Sequence, residues 1–358
     1  MKKICILSAV NIRHMSLISL YTDLFIKNNI SFDIIYMDKY DEEEEIEAKN
    51  IFRYVNKIDQ KKPKWYKALK YFKFRNYAIN IIKRNNYDYI VVWNDLAIFM
   101  FADFLANHYK KRYCLNIRDY CYQNIRWVFN RFEKVIKNSD FNTISSKGYE
   151  EFLPKFNYLI IHSLNPILFD SIVPRKAFRD KDNPIRIGFI GYVRYFERNE
   201  KMLDLFKNDP RFELHYYGTK ANVLRDYAEK NGINNAVFYD TFPVKDTYKY
   251  LQNIDIINNL YGNDSVGVNT ALSIKLYHGI YTRIPILVSA NTYMEEVAKK
   301  YNIGFTFAEI TNDYKNNLYE WYTHLDFGTF NEGCGAILSI VEEQNSKFNQ
   351  KVHDTFII

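Results

Sequence analysis

Glycine is scarce in this chain: 12 of 358 residues, about 3%, where soluble proteins average about 7%. All twelve lie at or after Gly148, and residues 1–147 contain none. A phosphate cradle of the Walker A type, or a G-x-G-x-x-G turn after a first strand, needs glycine so that backbone can close on an anion. Such a loop is therefore excluded from the N-terminal part; a nucleotide loop has to lie in the second half. Cysteine is also sparse. Cys5, Cys114, Cys121 and Cys334 show neither metal-type nor redox-pair spacing, which fits a reducing cytoplasm better than a disulfide scaffold. Long apolar runs are missing too. The longest, residues 96–106, is interrupted by Asp103 and is too short to span a bilayer. The opening MKKICILSAVNIRH has too short an apolar run for a signal peptide and no small-x-small cleavage site. The expected location is the cytoplasm, peripheral at the inner face of the cell membrane.

What is present bounds the fold. Hydrophobic residues make up 47%, which argues against disorder, and the length suggests about two domains, each able to bury a core. Tyr (31) and Phe (27) are abundant, a bias that AT-rich codons produce and that suggests a low-GC bacterial source. The net charge of +7 is local: residues 53–84 hold eleven Lys/Arg and one acid, Asp59. Aromatic residues interleave with these charges, as suits an anionic membrane surface. Lys61, Lys62, Lys64, Trp65 and Lys67 are the candidate contacts; a solvated basic helix is the competing reading. No nucleic-acid motif accompanies the charges, so nucleic acid is not an expected partner. The acidic run 41–45 reads as a solvated face.

Short apolar runs alternate with helical patterns. Strands are expected at 3–8, 31–36, 89–93, 113–117, 141–144 and 158–161, with helices at 16–27, 71–85, 96–109 and 125–137. After a proline-containing, weakly periodic stretch, the rhythm restarts with strands at 185–190, 212–217, 236–239, 254–258 and 284–288. Helices there are expected at 201–207, 223–231, 247–251, 272–281 and 293–301, with a last helix at 335–349. Strands separated by helix-length segments predict parallel sheets covered on both faces. The fold class is α/β, two tandem Rossmann-like doubly wound domains facing a cleft, with a C-terminal helix. The expected division is 1–165, a linker at 166–184, 185–325, and a tail at 326–358 that packs back on the first domain. Ligands of such folds bind beyond the carboxyl ends of the strands.

Two segments carry candidate chemistry. Residues 186–194 run RIGFIGYVR; a glycine at a strand end admits a phosphate to backbone N–H groups, and Arg194 or Arg198 can pair its oxygens. Gly191 is that glycine, and a tight turn with a surface arginine is the plainer reading. Residues 261–289, from Tyr261 to Ser289, follow a strand, open a helix and end in Pro285 and another strand. A helix N-terminus near Thr270, with Lys275 on the first turns, suits an anion.

This second segment resembles the donor-binding region of bacterial GT-B glycosyltransferases, above all the large retaining family four used in capsule and exopolysaccharide assembly. Lys275, Tyr277, Pro285, Ser289, Glu296 and Gly304 stand where that pattern has them. Residues 188–194, 213–218, 237–242 and 254–258 resemble further blocks in the same order. In the first half, residues 115–119, ending in Arg118 and Asp119, resemble a strand end that faces the cleft, and residues 142–154 a following strand and helix. The resemblance implies a hexosyltransferase that needs no cofactor or metal and takes a nucleotide-sugar donor as substrate. It implies a polyprenyl-diphosphate-linked saccharide as acceptor, in capsular or cell-surface polysaccharide synthesis.

Arg194 and Lys275 would then stabilise the leaving diphosphate, Tyr261, Thr270 and His278 would line the donor, and Glu296, or Glu295 in the adjacent register, would cap a nucleotide hydroxyl. His14 would meet an acceptor hydroxyl, or is a polar loop residue. Arg118 and Asp119 would orient acceptor or donor, or form a structural ion pair. The chain departs from the family in three places. The paired glutamates fall on Thr270 and His278, the phosphate-loop lysine falls on Asn199, and the glycine-rich turn after the first strand is replaced by residues 9–14. Two other readings stand beside transfer: a catalytically silent GT-B partner subunit, and a sugar-nucleotide 2-epimerase.

Overall fold

The computed structural model describes every residue except Met1, Ser16, 58–62, 164–171, 180–181 and Ile358. Lys61, Lys62 and much of the expected linker lie outside the described residues, and of Lys64 only the backbone is described. The chain forms two compact units, residues 1–162 with 344–358, and residues 163–343.

The first unit is a seven-stranded parallel sheet: β1 (Ile4–Ser8), β2 (Phe32–Asp38), β3 (Asn50–Val55), β4 (Tyr89–Trp93), β5 (Tyr113–Ile117), β6 (Phe141–Ile144) and β7 (Leu159–Ile160). Their order is β3-β2-β1-β4-β5-β6-β7. Four helices connect them: α1 (Ser19–Lys27), α2 (Lys64–Asn85), α3 (Asp95–His108) and α4 (Arg126–Asn138). β1, β2, β4 and β5 are buried at every residue, as strands covered on both faces must be.

β3 is absent from the sequence reading because it is an exposed edge carrying Arg53 rather than an apolar run. Arg53 reaches Asp38 (2.8 Å) and Asp41 (2.9 Å), which couples the edge strand to the acidic run. That run is not simply a solvated face. Glu43 is exposed, but the Glu44 carboxylate folds inward and accepts from the backbone N–H groups of Ile12 (2.9 Å) and Arg13 (3.0 Å) and from Asn11 Nδ2 (3.0 Å).

The second unit holds β8 (Ile185–Ile190), β9 (Phe212–Tyr217), β10 (Ala236–Tyr239), β11 (Ile256–Asn259), β12 (Ile286–Ser289) and β13 (Gly304–Phe307). They form a parallel sheet in the order β10-β9-β8-β11-β12-β13. Its helices are α5 (Phe196–Leu205), α6 (Ala221–Lys230), α7 (Thr247–Leu251), α8 (Val266–Thr270), α9 (Ile274–Thr282), α10 (Tyr293–Lys300) and α11 (Asn312–His324). β13 and α11 occupy the stretch in which the sequence shows no sheet rhythm.

The last helix, α12 (Phe327–Phe356), is about twice as long as its sequence signal. Glycines at 328, 333 and 335 weaken helix propensity at its start, but packing overrides them. A Cβ on Gly333 would fall 1.8 Å from the Tyr301 carbonyl oxygen, so close packing against Tyr301 requires glycine there. Phe330, Cys334, Ile337 and Val341 belong to a core of the second unit, and Phe348, Val352 and Phe356 to the core of the first. Among the described residues no helix is long and apolar enough to cross a membrane.

Phe348 is 1% exposed, its ring 5.3 Å from Tyr21. Phe348→Ala is expected to destabilise the first unit by about 3–5 kcal/mol, read as a lower urea midpoint. An unchanged midpoint would show that the end of α12 contributes no core.

Candidate functional site

In doubly wound sheets the strands diverge at the switch point, and the loops at their carboxyl ends frame a crevice. In the second unit that point lies between β8 and β11. The turn after β8 begins at Gly191, φ +114°, a conformation that side-chain-bearing residues rarely adopt. Its N–H donates to the Tyr217 carbonyl at 2.9 Å, and a Cβ on the neighbouring Gly218 would fall 2.0 Å from the Gly191 carbonyl oxygen. The ends of β8 and β9 thus pack backbone on backbone, while the space over Gly191 is open.

Arg194 is exposed, its guanidinium 5.6 Å from the Tyr192 ring, and it has no ion pair among the described residues. Asn199, at the place of the family's lysine, is buried and donates to the carbonyls of Arg194 (2.7 Å) and Tyr195 (3.1 Å). It holds the turn's shape rather than supplying charge, a role that the sequence shows only as a missing lysine. Arg198 lies 3.6 Å from Asp264 and lines a cavity of about 650 Å³ together with Tyr195, Lys201, Phe307 and Glu309.

Across the switch point, the loop after β11 is tied to the end of β12: Gly262 N–H donates to Ser289 Oγ at 3.0 Å, and Thr292 Oγ1 donates to the Ser289 carbonyl at 2.8 Å. Tyr261 packs 5.3 Å from Tyr195, and burial raises its hydroxyl to about 12. Lys275 sits beneath it, only 2% exposed. Its Nζ donates to the Asn258 carbonyl at 3.0 Å and lies 3.1 Å from the centre of the Phe189 ring and 4.9 Å from that of Tyr261. Burial holds this amine well below the ordinary lysine range. The charge expected to face a phosphate is therefore placed behind two aromatic rings. His278, one turn on, is lowered to about 4 by burial and by Lys275, so its imidazole is neutral at physiological pH.

Thr270 is not at a helix N-terminus. It ends the five-residue α8, donating to the Val266 carbonyl at 2.7 Å, and α9 starts after the cap Ser273, whose Oγ accepts from Lys275 N–H at 3.2 Å. The single helix expected at 272–281 is thus α9, with α8 before it. On α10, Glu295 is committed to the helix start: it accepts from Asn291 N–H at 2.7 Å and pairs with Lys299 at 2.6 Å. Glu296 is exposed.

In the first unit, β1 and β4 flank the switch point. His14 is exposed and contacts the Tyr40 hydroxyl at 3.0 Å. The backbone N–H groups of Arg118 and Asp119, beyond β5, donate to Asp95 Oδ2 at 2.9 and 2.8 Å. Asp95 is buried, and burial, opposed by these N–H groups and reinforced by Asp119, raises its carboxyl to about 7. The sequence gives Asp95 only as the residue after Asn94, where a helix follows a strand; its partners 23 and 24 residues away are invisible there. Tyr149 donates to the Arg118 carbonyl at 2.9 Å, which further fixes this strand end. Among the described residues no group of three His, Cys, Asp or Glu is placed to hold a metal ion.

The sequence matches no protein-family model and no curated protein. Solved structures do match across the full chain. The lipopolysaccharide outer core galactosyltransferase WaaB aligns with TM-score 0.67 at 12% identity over 97% of this chain and 98% of its own. Sucrose-phosphate synthase from Thermosynechococcus elongatus aligns with TM-score 0.69 at 11% identity over 100% of both chains. HepE from Anabaena, in complex with UDP, aligns with TM-score 0.64 at 10% identity over 99% of both. The chain therefore has the GT-B fold, two parallel-sheet Rossmann-like units and a C-terminal helix.

The raised Asp95 carboxyl makes a signed prediction. Its contribution to stability is fully present below about pH 4, the ordinary carboxyl range, and is lost as pH rises through about 7. Asp95→Asn, which keeps a carbonyl acceptor for the two N–H groups, is expected to flatten the fall in stability between about pH 4 and 7, which approaches about 1.4 kcal/mol per pH unit at its steepest. Parallel stability–pH curves for the two proteins would refute this.

Proposed function

We propose that this chain is a glycosyltransferase that moves a sugar from a nucleotide-sugar donor to a polyprenyl-diphosphate-linked saccharide in cell-surface or capsular polysaccharide synthesis. The observation that carries this is the turn after β8. There Gly191 leaves the space over the turn open, Arg194 has no acidic partner among the described residues, and a cavity large enough for a nucleoside extends past Arg198. The structurally similar HepE holds UDP, which supports a nucleoside diphosphate as the anion.

In the reaction, the bond from the anomeric carbon to the diphosphate oxygen breaks, and a bond to the acceptor hydroxyl oxygen forms. The acceptor proton leaves with the nucleoside diphosphate. Negative charge develops on the departing oxygen, and preorganised donors aimed at that charge lower the barrier. Gly191 N–H is spent on Tyr217, so Arg194 and Arg198 are the donors proposed for the diphosphate, without a metal. Lys275 acts from behind: its amine fixes the Asn258 carbonyl and the faces of Phe189 and Tyr261, and so sets the floor on which the donor rests. His278 and Thr270 belong to the same floor, and Glu296 takes a nucleotide hydroxyl.

Arg118, Asp119 and His14 are proposed to serve the acceptor. The resemblance to family four supports retention of anomeric configuration. The basic helix α2, with Trp65 70% exposed and Lys67, supports contact with an anionic membrane. The absence of carboxylates at Thr270 and His278 is the one feature that favours a silent partner subunit.

Nucleoside diphosphate release, followed in the presence and absence of a lipid-linked acceptor, tests the proposal. Release that requires the acceptor supports transfer, and Arg194→Ala should reduce it by roughly 10²–10³-fold. Nucleotide binding without release would mark a silent subunit, and acceptor-independent inversion of the donor sugar an epimerase. Undiminished release by Arg194→Ala would overturn the site.

A further inference from the structure

Parallel strands are usually joined by a helix that covers the sheet face. The connection from β2 to β3 is different: residues 39–49 contain no helix. This irregular crossover leaves a cavity of about 800 Å³ against the sheet, within the size range of small-molecule sites. Tyr36 pairs with Arg53, and Ile34 with Ile51, so these side chains share one face of the sheet. Tyr36, Ile51 and Arg53 line the cavity from the sheet, and residues 43–47 line it from the crossover.

Part of the charge around this cavity is matched. Arg53 pairs with Asp38 and Asp41, and Glu43 approaches it at 3.7 Å. Glu44 is turned to the N–H groups of Ile12 and Arg13. Glu45 and Glu47 line the cavity and form no ion pair among the described residues, which leaves it with uncompensated negative charge. A second, independent observation comes from inside. Tyr36 is 0% exposed, yet its hydroxyl has no hydrogen-bond partner among the described residues. Buried hydroxyls are normally paired with protein or a bound molecule. Burial and the charges of Glu44 and Asp38 hold the proton on this phenol, and Arg53 opposes them less strongly. Tyr36 is thus a neutral hydrogen-bonding group in a negative field.

The lining narrows the chemistry of a ligand. An anion would meet the glutamates. A bare divalent cation finds no group of three acids placed to hold it among the described residues, and it would leave the apolar surface of Ile46 and Ile51 uncovered. A cation carried on carbon satisfies all three features. Its ammonium answers Glu45 and Glu47, its hydrocarbon covers the isoleucines, and a polar atom meets the Tyr36 hydroxyl.

We propose that this cavity binds an organic ammonium compound, an amino sugar or a polyamine, through Glu45, Glu47 and the Tyr36 hydroxyl. The site lies in the first unit and does not depend on the nucleotide-sugar reading.

Isothermal titration calorimetry on the full-length protein tests this, with glucosamine and spermidine as probes. N-acetylglucosamine and fully acetylated spermidine are the uncharged controls. At least one amine should bind saturably, roughly tenfold more tightly than its acetylated form. The double variant Glu45→Gln/Glu47→Gln, and Tyr36→Phe alone, should each raise Kd about tenfold. Both glutamates are exposed, and Tyr36→Phe removes only a hydroxyl, so unchanged melting temperatures should accompany both losses. Glucosamine binding alone identifies an amino sugar, spermidine binding alone a polyamine, and binding of both supports the shared ammonium chemistry. No binding by either amine would overturn the proposal, as would equal affinity for the acetylated forms or unchanged affinity in the double variant. Loss in the double variant with Tyr36→Phe unaffected would overturn it too, because surface acids attract polyamines without a cavity. Nucleoside diphosphate release that depends on Arg194 tests the transfer reading separately.

Discussion

A buried lysine amine with no carboxylate partner among the described residues organises the candidate donor site. Lys275 Nζ touches the Asn258 carbonyl in β11, the ring of Phe189 on β8 and the ring of Tyr261 in the loop after β11. Burying such a group costs free energy, and carbonyl and π contacts offset part of that cost. The same burial depresses its proton affinity and that of His278 beside it. Beside this buried floor stand the exposed guanidinium of Arg194 and the half-buried one of Arg198, the latter 3.6 Å from Asp264. Charge is therefore concentrated where a diphosphate would sit, and geometry is fixed where the rest of the donor would lie.

The turn after β8 is set by a second constraint, the close approach of Gly218 to the Gly191 carbonyl. Asn199 completes it by holding two carbonyls of the turn from below. A lysine there would add charge but lose those bonds, so the departure from the family pattern exchanges an electrostatic contact for rigidity. The first unit handles its strand ends differently. Carboxylates of the chain itself, Glu44 and Asp95, accept the backbone N–H groups that follow β1 and β5. This gives physical content to the missing glycines: these loops close on internal acids instead of opening to an outside anion.

Much of the fold is legible in the sequence, because a strand buried on both faces has to be a short apolar run. Residues 4–8, 89–93 and 185–190 meet that condition. β3 does not, since an edge strand with Arg53 in its middle has no such pattern. α12 hides behind glycines whose reason, the approach to Tyr301, is tertiary. The candidate donor segment is readable as a segment: Gly191, Arg194, Tyr261 and Lys275 gather around the ends of β8 and β11. Their depth is not readable. Nothing in the spacing shows that Lys275 lies under aromatic rings, that Thr270 ends a short helix, or that Asp95 sits against Arg118 and Asp119. Those facts depend on contacts between residues far apart in the chain.

The central claim is that the turn from Gly191 to Arg194 receives a nucleoside diphosphate. Thermal denaturation with a panel of UDP, ADP and GDP measures this most directly, because a ligand that binds only the native state raises its apparent stability. At least one should raise the melting temperature of the wild-type protein, and that rise should be largely lost in Arg194→Ala. An equal rise in both proteins, or none with any nucleotide, would contradict it.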